Sequence, residues 1–243
     1  LKPLEAPRGV INARTGEVVK CSNGSVYKPS QWNIDKLMTF HKYLIIEGEN
    51  SGNVKEISKQ VNSQNDSVET AHNAMQYVDA QNQFYSKVWS HSFMEYTPVT
   101  SNVNYSVTYY IKDMLSNIGY DIYLVTAPTL AADSNAAPER RVPVIFNCTL
   151  NVPGKGSEQL TTAKPKLKKN TDFVTSVDSV DYLLLAEDYK FEFCTEGVND
   201  ENLQVTLTLK TNVSNAQVRN NQYTRTLNVD CILLVPHGTF YVV

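Results

Sequence analysis

The sequence predicts an all-β chain: an antiparallel two-sheet β-sandwich, jelly-roll-like, with an N-terminal β-hairpin extension. Three observations lead there. Several segments alternate apolar and polar residues with period two, the pattern of strands with one face inward and one face wet. The connections between them are short, polar and rich in Pro, Gly, Asn and Asp, whereas a parallel sheet needs long helical crossovers. Asn, Ser and Thr are abundant and glutamate-to-lysine helix ladders are scarce, which favours strands and hydrogen-bonded loops.

The first element is "GEVVKCSNGSVYKP", Gly16 to Pro29. Val18 and Val19 precede an Asn23-Gly24 turn, and Val26 and Tyr27 follow it, the signature of a hairpin. From Trp32 to Glu49, "LMTFHKYLIIEGE" reads as a strand ending in a turn at Gly48. Residues 50 to 67 are almost wholly polar, a linker, and Val68, Ala71, Met75 and Val78 at spacings of three and four suggest a short helix. The expected organisation is therefore a hairpin and strand over 1–50, a polar linker or short helix over 51–83, and a β-sandwich over 84–243.

Within that sandwich the strands fall near residues 84–96, 105–111, 120–126, 144–152, 182–193, 203–210 and 224–235. Tyr105, Val107, Tyr109 and Ile111 alternate with polar residues, as do Phe146, Cys148, Leu150 and Val152. Leu203, Val205, Leu207 and Leu209 alternate against Gln204, Thr206, Thr208 and Lys210. In "SNIGYDIYLVTAPT", Gly119 frees the backbone, Tyr120, Ile122 and Leu124 share a face, and Pro128 ends the pairing. Its apolar character on both faces marks a central strand. The last strand carries Leu227, Val229, Cys231, Leu233 and Val235 on one side, with Ile232 and Leu234 on the other.

Composition limits function. A formal net charge of -3 and a sequence pI near 5.8 leave no polycationic face for duplex nucleic acid. No apolar run approaches the ~20 residues of a membrane-spanning helix. Cys21, Cys148, Cys194 and Cys231 form no C-x-x-C pair, which argues against a zinc cluster and for small buried side chains, with a disulfide between strand cysteines left open. His41, His72, His91 and His237 are scattered, and no G-x-S-x-G, phosphate loop or dinucleotide fingerprint occurs. Catalytic carboxylates of a glycosidase type could come from distant strands and escape the sequence. No cofactor is expected. Jelly rolls often hold a structural calcium between loop oxygens, and that option stays open although no EF-hand spacing is present.

Recognition is the better lead. Tyr85, Trp89, Phe93 and Tyr96, then Tyr105 and Tyr109, read as a core layer. Tyr110 lies opposite that face, and Trp32 stands either in an exposed turn or at a seam, so both are candidate ligand contacts. The loop "LAADSNAAPERRVP", Leu130 to Pro143, brings Asp133, Glu139, Arg140 and Arg141 to the end of the central strand, where rigid sandwiches display binding loops. The two arginines could fork onto a carboxylate or uronic acid. The basic run "KPKLKK", Lys164 to Lys169, reads as a soluble hairpin tip or a contact for an anionic glycan.

The stretches "NVNYSVTYYIKDMLSNIGYDIYLVTAPTLAADSNAAPERRVP", "LLLAEDYKFEFCTEG" and "YTRTLNVDCILLVP" resemble, in order and spacing, the C-terminal region of fasciclin-domain surface lipoproteins of gut Bacteroidetes. "VVKCSNGSVYKP" is similar to the closing hairpin of a fasciclin domain. The resemblance implies an exported protein on the outer face of the outer membrane, held by a lipid anchor upstream of residue 1; a monomer is expected. Its implied role is binding or adhesion, to a glycan or a surface protein. A structural spacer for the fasciclin domain is the alternative, and an extracellular glycan-acting enzyme a third.

Overall fold

The computed structural model describes residues 14–21, 24–31, 43–113, 119–191, 195 and 199–238, the first two segments as backbone. The chain divides into two units, residues 1–42 with 238–243, and Tyr43–His237. In the first, β1 (Arg14–Cys21) and β2 (Gly24–Gln31) form the expected antiparallel hairpin, with Val18 opposite Tyr27 and Cys21 opposite Gly24. Gly24 thus already belongs to the second strand. Trp32 lies outside the described residues.

The second unit is the sandwich. One sheet contains β3 (Leu44–Glu47), β7 (Ala71–Tyr77), β8 (Ser92–Pro98), β10 (Gly119–Thr126), β14 (Asp181–Lys190) and β16 (Leu227–Pro236). Its order is β14-β10-β16-β8-β7, with β3 also pairing β16. The other contains β4 (Val54–Ile57), β9 (Ser106–Ile111), β11 (Ile145–Val152), β12 (Gly156–Gln159), β13 (Phe173–Val174) and β15 (Val205–Thr211). Its order is β12-β11-β15-β9-β4, and β13 pairs β11. The strand pairings are antiparallel. Because the chain repeatedly crosses from one sheet to the other, most neighbours in a sheet are distant in sequence, the jelly-roll signature. A small hairpin of β5 (Lys59–Val61) and β6 (Ser67–Glu69) stands apart.

Period-two alternation builds the core. Cys148, Leu209 and Val107 lie abreast on one sheet and, with Phe146, Leu150 and Leu207, meet Tyr96, Tyr120, Ile122, Leu124, Ile232 and Leu234 of the other. Three buried tyrosines meet polar partners inside this layer: Tyr96 and Tyr109 hydrogen-bond each other at 2.9 Å, and the Tyr105 hydroxyl lies 2.8 Å from both the Tyr96 and the Arg225 carbonyl oxygens. Cys148 and Cys231 are buried free thiols. β10, paired on both sides, is the internal strand its apolar faces indicated. A Cβ at Gly119 would stand 1.7 Å from the Asp188 Oδ1 atom, so the glycine leaves room for that carboxylate.

Three expectations change. The spacing read as a helix over residues 68–78 falls on the end of β6 and on β7, an edge strand in which Ala71 alone is fully buried. Pairing with β8 across Ala71–Pro98 to Tyr77–Ser92 overrides the spacing, as tertiary context commonly does. Residues 51–83 are therefore not a linker: Val54 of β4 pairs Tyr109, and the sandwich begins near residue 43, not 84. The strand expected over 84–96 starts at Ser92. Two 3-10 turns, Tyr85–Lys87 and Trp89–His91, precede it, with Ser90 and His91 in the left-handed region at φ 50 and 56.

Candidate functional site

The loop at Leu130–Pro143 closes on itself. It opens with the one-turn helix α1 (Thr129–Ala132). Arg140 Nη1 meets Asp133 Oδ2 at 2.8 Å, and Asp133 Oδ1 accepts the Asn135 amide at 3.1 Å. Arg141 Nε donates to the Ala136 carbonyl at 2.7 Å, and Thr129 Oγ1 donates to the Arg140 carbonyl. Glu139 is exposed on the rim. The space beneath, between Thr126, Thr129, Arg141, Thr175 and Asn228, is about 20 Å³, room for a water. The arginines expected to fork onto a ligand carboxylate are engaged in shaping their own loop, Arg140 through Asp133 and Arg141 through the Ala136 carbonyl.

Tyr110 is more enclosed than its outward position suggests. It does lie on the outer face of its sheet, but it is only 7% exposed. Its hydroxyl donates to Glu201 Oε2 at 2.8 Å, and the Lys112 and Lys55 ammonium groups lie 5.2 and 5.9 Å from its ring centre. A ring covered by two lysine stems is not a free stacking platform. Burial, then the Glu201 bond, raises its pKa.

A larger concavity lies along β14, the edge strand of the first sheet. Residues from Asp181 to Glu187 form one wall, the segment 161–166 forms the other, and Phe173 sits between them, enclosing about 460 Å³, within the size range of ligand clefts. Tyr182 is half-buried and Leu184 is 36% exposed. Lys166 Nζ lies 3.6 Å from Asp181 Oδ2 and donates to the Val174 carbonyl at 3.3 Å, while Lys164 is exposed at the mouth. As the last strand in its sheet, β14 turns one row of backbone N–H and C=O groups toward this space. The cleft offers apolar side-chain surface, a hydrogen-bonding edge and both signs of charge.

The "KPKLKK" run is thus not a hairpin tip. It joins β12 to β13, with Lys164 and Lys166 in the cleft and Lys168 and Lys169 in a second, open depression beside Asp172 and Gln217. Tyr182 and Leu184 were missed because the alternation rule assigns an apolar run to the core. The available signal was Leu183-Leu184-Leu185, consecutive apolar residues that a two-faced strand cannot bury on one side.

Among the described residues no histidine or cysteine lines the cleft, and its carboxylates, Asp181 and Glu187, stand at opposite ends of the wall. At about 3.3 Å per strand residue they are roughly 20 Å apart, too far for the paired acids of a glycosidase. Among the described residues no group of three or more His, Cys, Asp or Glu could hold a metal ion. No helix among them is long and apolar enough to cross a membrane.

The site belongs to an antiparallel β-sandwich with a cleft along one sheet edge. No protein-family model matches the chain, and no curated protein does. Among solved structures it is similar to the family 11 carbohydrate-binding module of cellulosomal cellulase Lic26A-Cel5E of Clostridium thermocellum, at 12% identity and a TM-score of 0.34, over 83% of this chain and 98% of that one.

Proposed function

We propose that the chain is a non-catalytic binding module that holds an extended glycan in the β14 cleft. The observation that carries this reading is the cleft itself, about 460 Å³ along a strand edge without a strand partner, with Tyr182 and Leu184 beside Lys164 and Lys166. Tyrosine and leucine surfaces pack against the apolar faces of sugar rings. The strand edge supplies donors and acceptors for hydroxyls, and the lysines suit uronic or other acidic sugars. The lipoprotein setting implied by the sequence resemblance would display such a module at the cell surface. Surface labelling of intact cells carrying the full-length protein tests that setting separately.

The test of binding is a glycan array that includes acidic polysaccharides and mucin-type glycans, repeated with Leu184→Asp and Tyr182→Ala. The reading expects a reproducible ligand whose affinity falls at least tenfold in either variant while melting is unchanged. Equal binding by all three proteins would move the site elsewhere. A blank array from folded protein would favour the spacer or an extended peptide, which the unpaired strand edge also suits.

A further inference from the structure

A different place on the sandwich buries carboxyl groups that, among the described residues, no lysine or arginine compensates. β16 pairs β8 as far as Val229, opposite Met94, and pairs β3 from Cys231, opposite Glu47. Asp230 sits at the changeover. On the other flank, Val125 pairs Cys231 and Thr126 pairs Val229, so Asp230 is the extra residue of a β-bulge, a device that re-aims a side chain. It is 0% exposed.

Two turns converge there. Glu47, Gly48 and Glu49 leave β3, and Trp89, Ser90 and His91 enter β8. Gly48 donates its amide to the Asp230 carbonyl at 2.8 Å, and a Cβ at that position would fall 2.4 Å from the Val229 carbonyl oxygen. The chain must therefore have glycine between the two glutamates. The Trp89 amide donates to Asp230 Oδ2 at 3.2 Å, the Ser92 hydroxyl to Glu49 Oε1 at 2.7 Å, and the Ser90 hydroxyl to Glu47. One oxygen on each of two carboxylates remains: Asp230 Oδ1 and Glu49 Oε2 are buried and without a hydrogen-bond partner. Among the described residues no lysine or arginine pairs with any of the three acids. Leaving such acceptors unmet is costly, and more so for ionised groups.

We propose that Asp230 Oδ1 and Glu49 Oε2 are ligands of a calcium ion at the junction of β3, β8 and β16, with backbone oxygens of the two turns and water completing its coordination. Two carboxylates with neutral oxygens form a donor set that calcium takes, and three acidic side chains are not required. The nearby imidazole is turned away: His91 Nδ1 contacts the Tyr85 carbonyl at 2.8 Å and its ring stacks on Tyr85 at 3.8 Å. An all-oxygen set of this kind disfavours zinc and copper. Electrostatics agree with the geometry. Burial, reinforced by the charges of Glu49 and Glu47, pushes the Asp230 carboxyl up to about 8, and burial raises Glu49 as well; a cation reverses that penalty. The ion would tie the end of β3 to the start of β8 where the two strands meet along β16, a structural role independent of the cleft.

Terbium luminescence tests the site, because Trp89 stands next to it. Chelator-stripped protein titrated with terbium should give saturable, tryptophan-sensitised emission that calcium displaces. Asp230→Asn should abolish the signal, and Glu49→Gln, on the half-buried side of the cluster, should weaken affinity at least tenfold while keeping the wild-type circular dichroism spectrum. Absence of saturable emission, or equal affinity in folded Glu49→Gln, would overturn the proposal.

Discussion

Two buried charged residues lie a few positions apart near the end of the chain, and their surroundings are opposite. Arg225, 3% exposed, donates to the Ser101 and Val213 carbonyls, to Asn104 Oδ1 at 3.0 Å and to Asn215 Oδ1 at 2.8 Å. It is a charge whose donors the fold meets with neutral oxygens drawn from two segments, 101–104 and 213–215. Asp230 has one backbone amide and faces further negative charge. Burial alone therefore says little about role; what separates structure from ligand site is whether the protein itself supplies the partners.

That contrast gives variants whose effects differ in kind. Arg225→Met leaves several buried acceptors without donors, and a loss on the order of 3 kcal/mol is expected, read as a lower denaturant midpoint whether or not calcium is present. Asp230→Asn should behave conditionally, lowering the midpoint relative to wild type in calcium and costing little in chelator. If Asp230→Asn were equally destabilised in both, the carboxylate would be a structural group like the arginine. A smaller effect tests the neutral core: Tyr109→Phe removes the partner of the Tyr96 hydroxyl and should cost about 1 kcal/mol.

Smaller still is the loop that looked richest in sequence. Asp133 and Arg140 form an ion pair whose side chains are 41% and 57% exposed, so Arg140→Ala should change stability by less than about 0.5 kcal/mol and leave glycan affinity unaltered. A loss of binding in that variant would restore the loop as the site. The last effect is a slope with pH. A hydrogen bond from His237 Nδ1 to Asp121 Oδ1, at 2.8 Å, raises the pKa of His237 from its ordinary 6.5. A raised folded-state value means that the stabilisation is full below about pH 6.5 and fades as pH rises through the folded-state value. Melting curves of His237→Gln should lack that decline.

These cases show what alternation reveals and hides. Strands β11 and β15 were legible because each buries one face completely, and the tyrosine layer because it shares that face. β7 was not, since an edge strand with little burial leaves no period. The loop arginines were visible as charges, but their partners depend on how the loop folds back. Asp230 was a lone acid in the apolar run Leu227–Val235. That is a visible anomaly, yet its meaning depends on Glu47 and Glu49, which are distant in sequence and are brought beside it by the pairing of β3 with β16.

The most direct measurement is isothermal titration of chelator-stripped protein with calcium chloride, beside Asp230→Asn. The account predicts one calcium per wild-type chain and none for the variant. The same binding in both proteins, or none in the wild type, would contradict it.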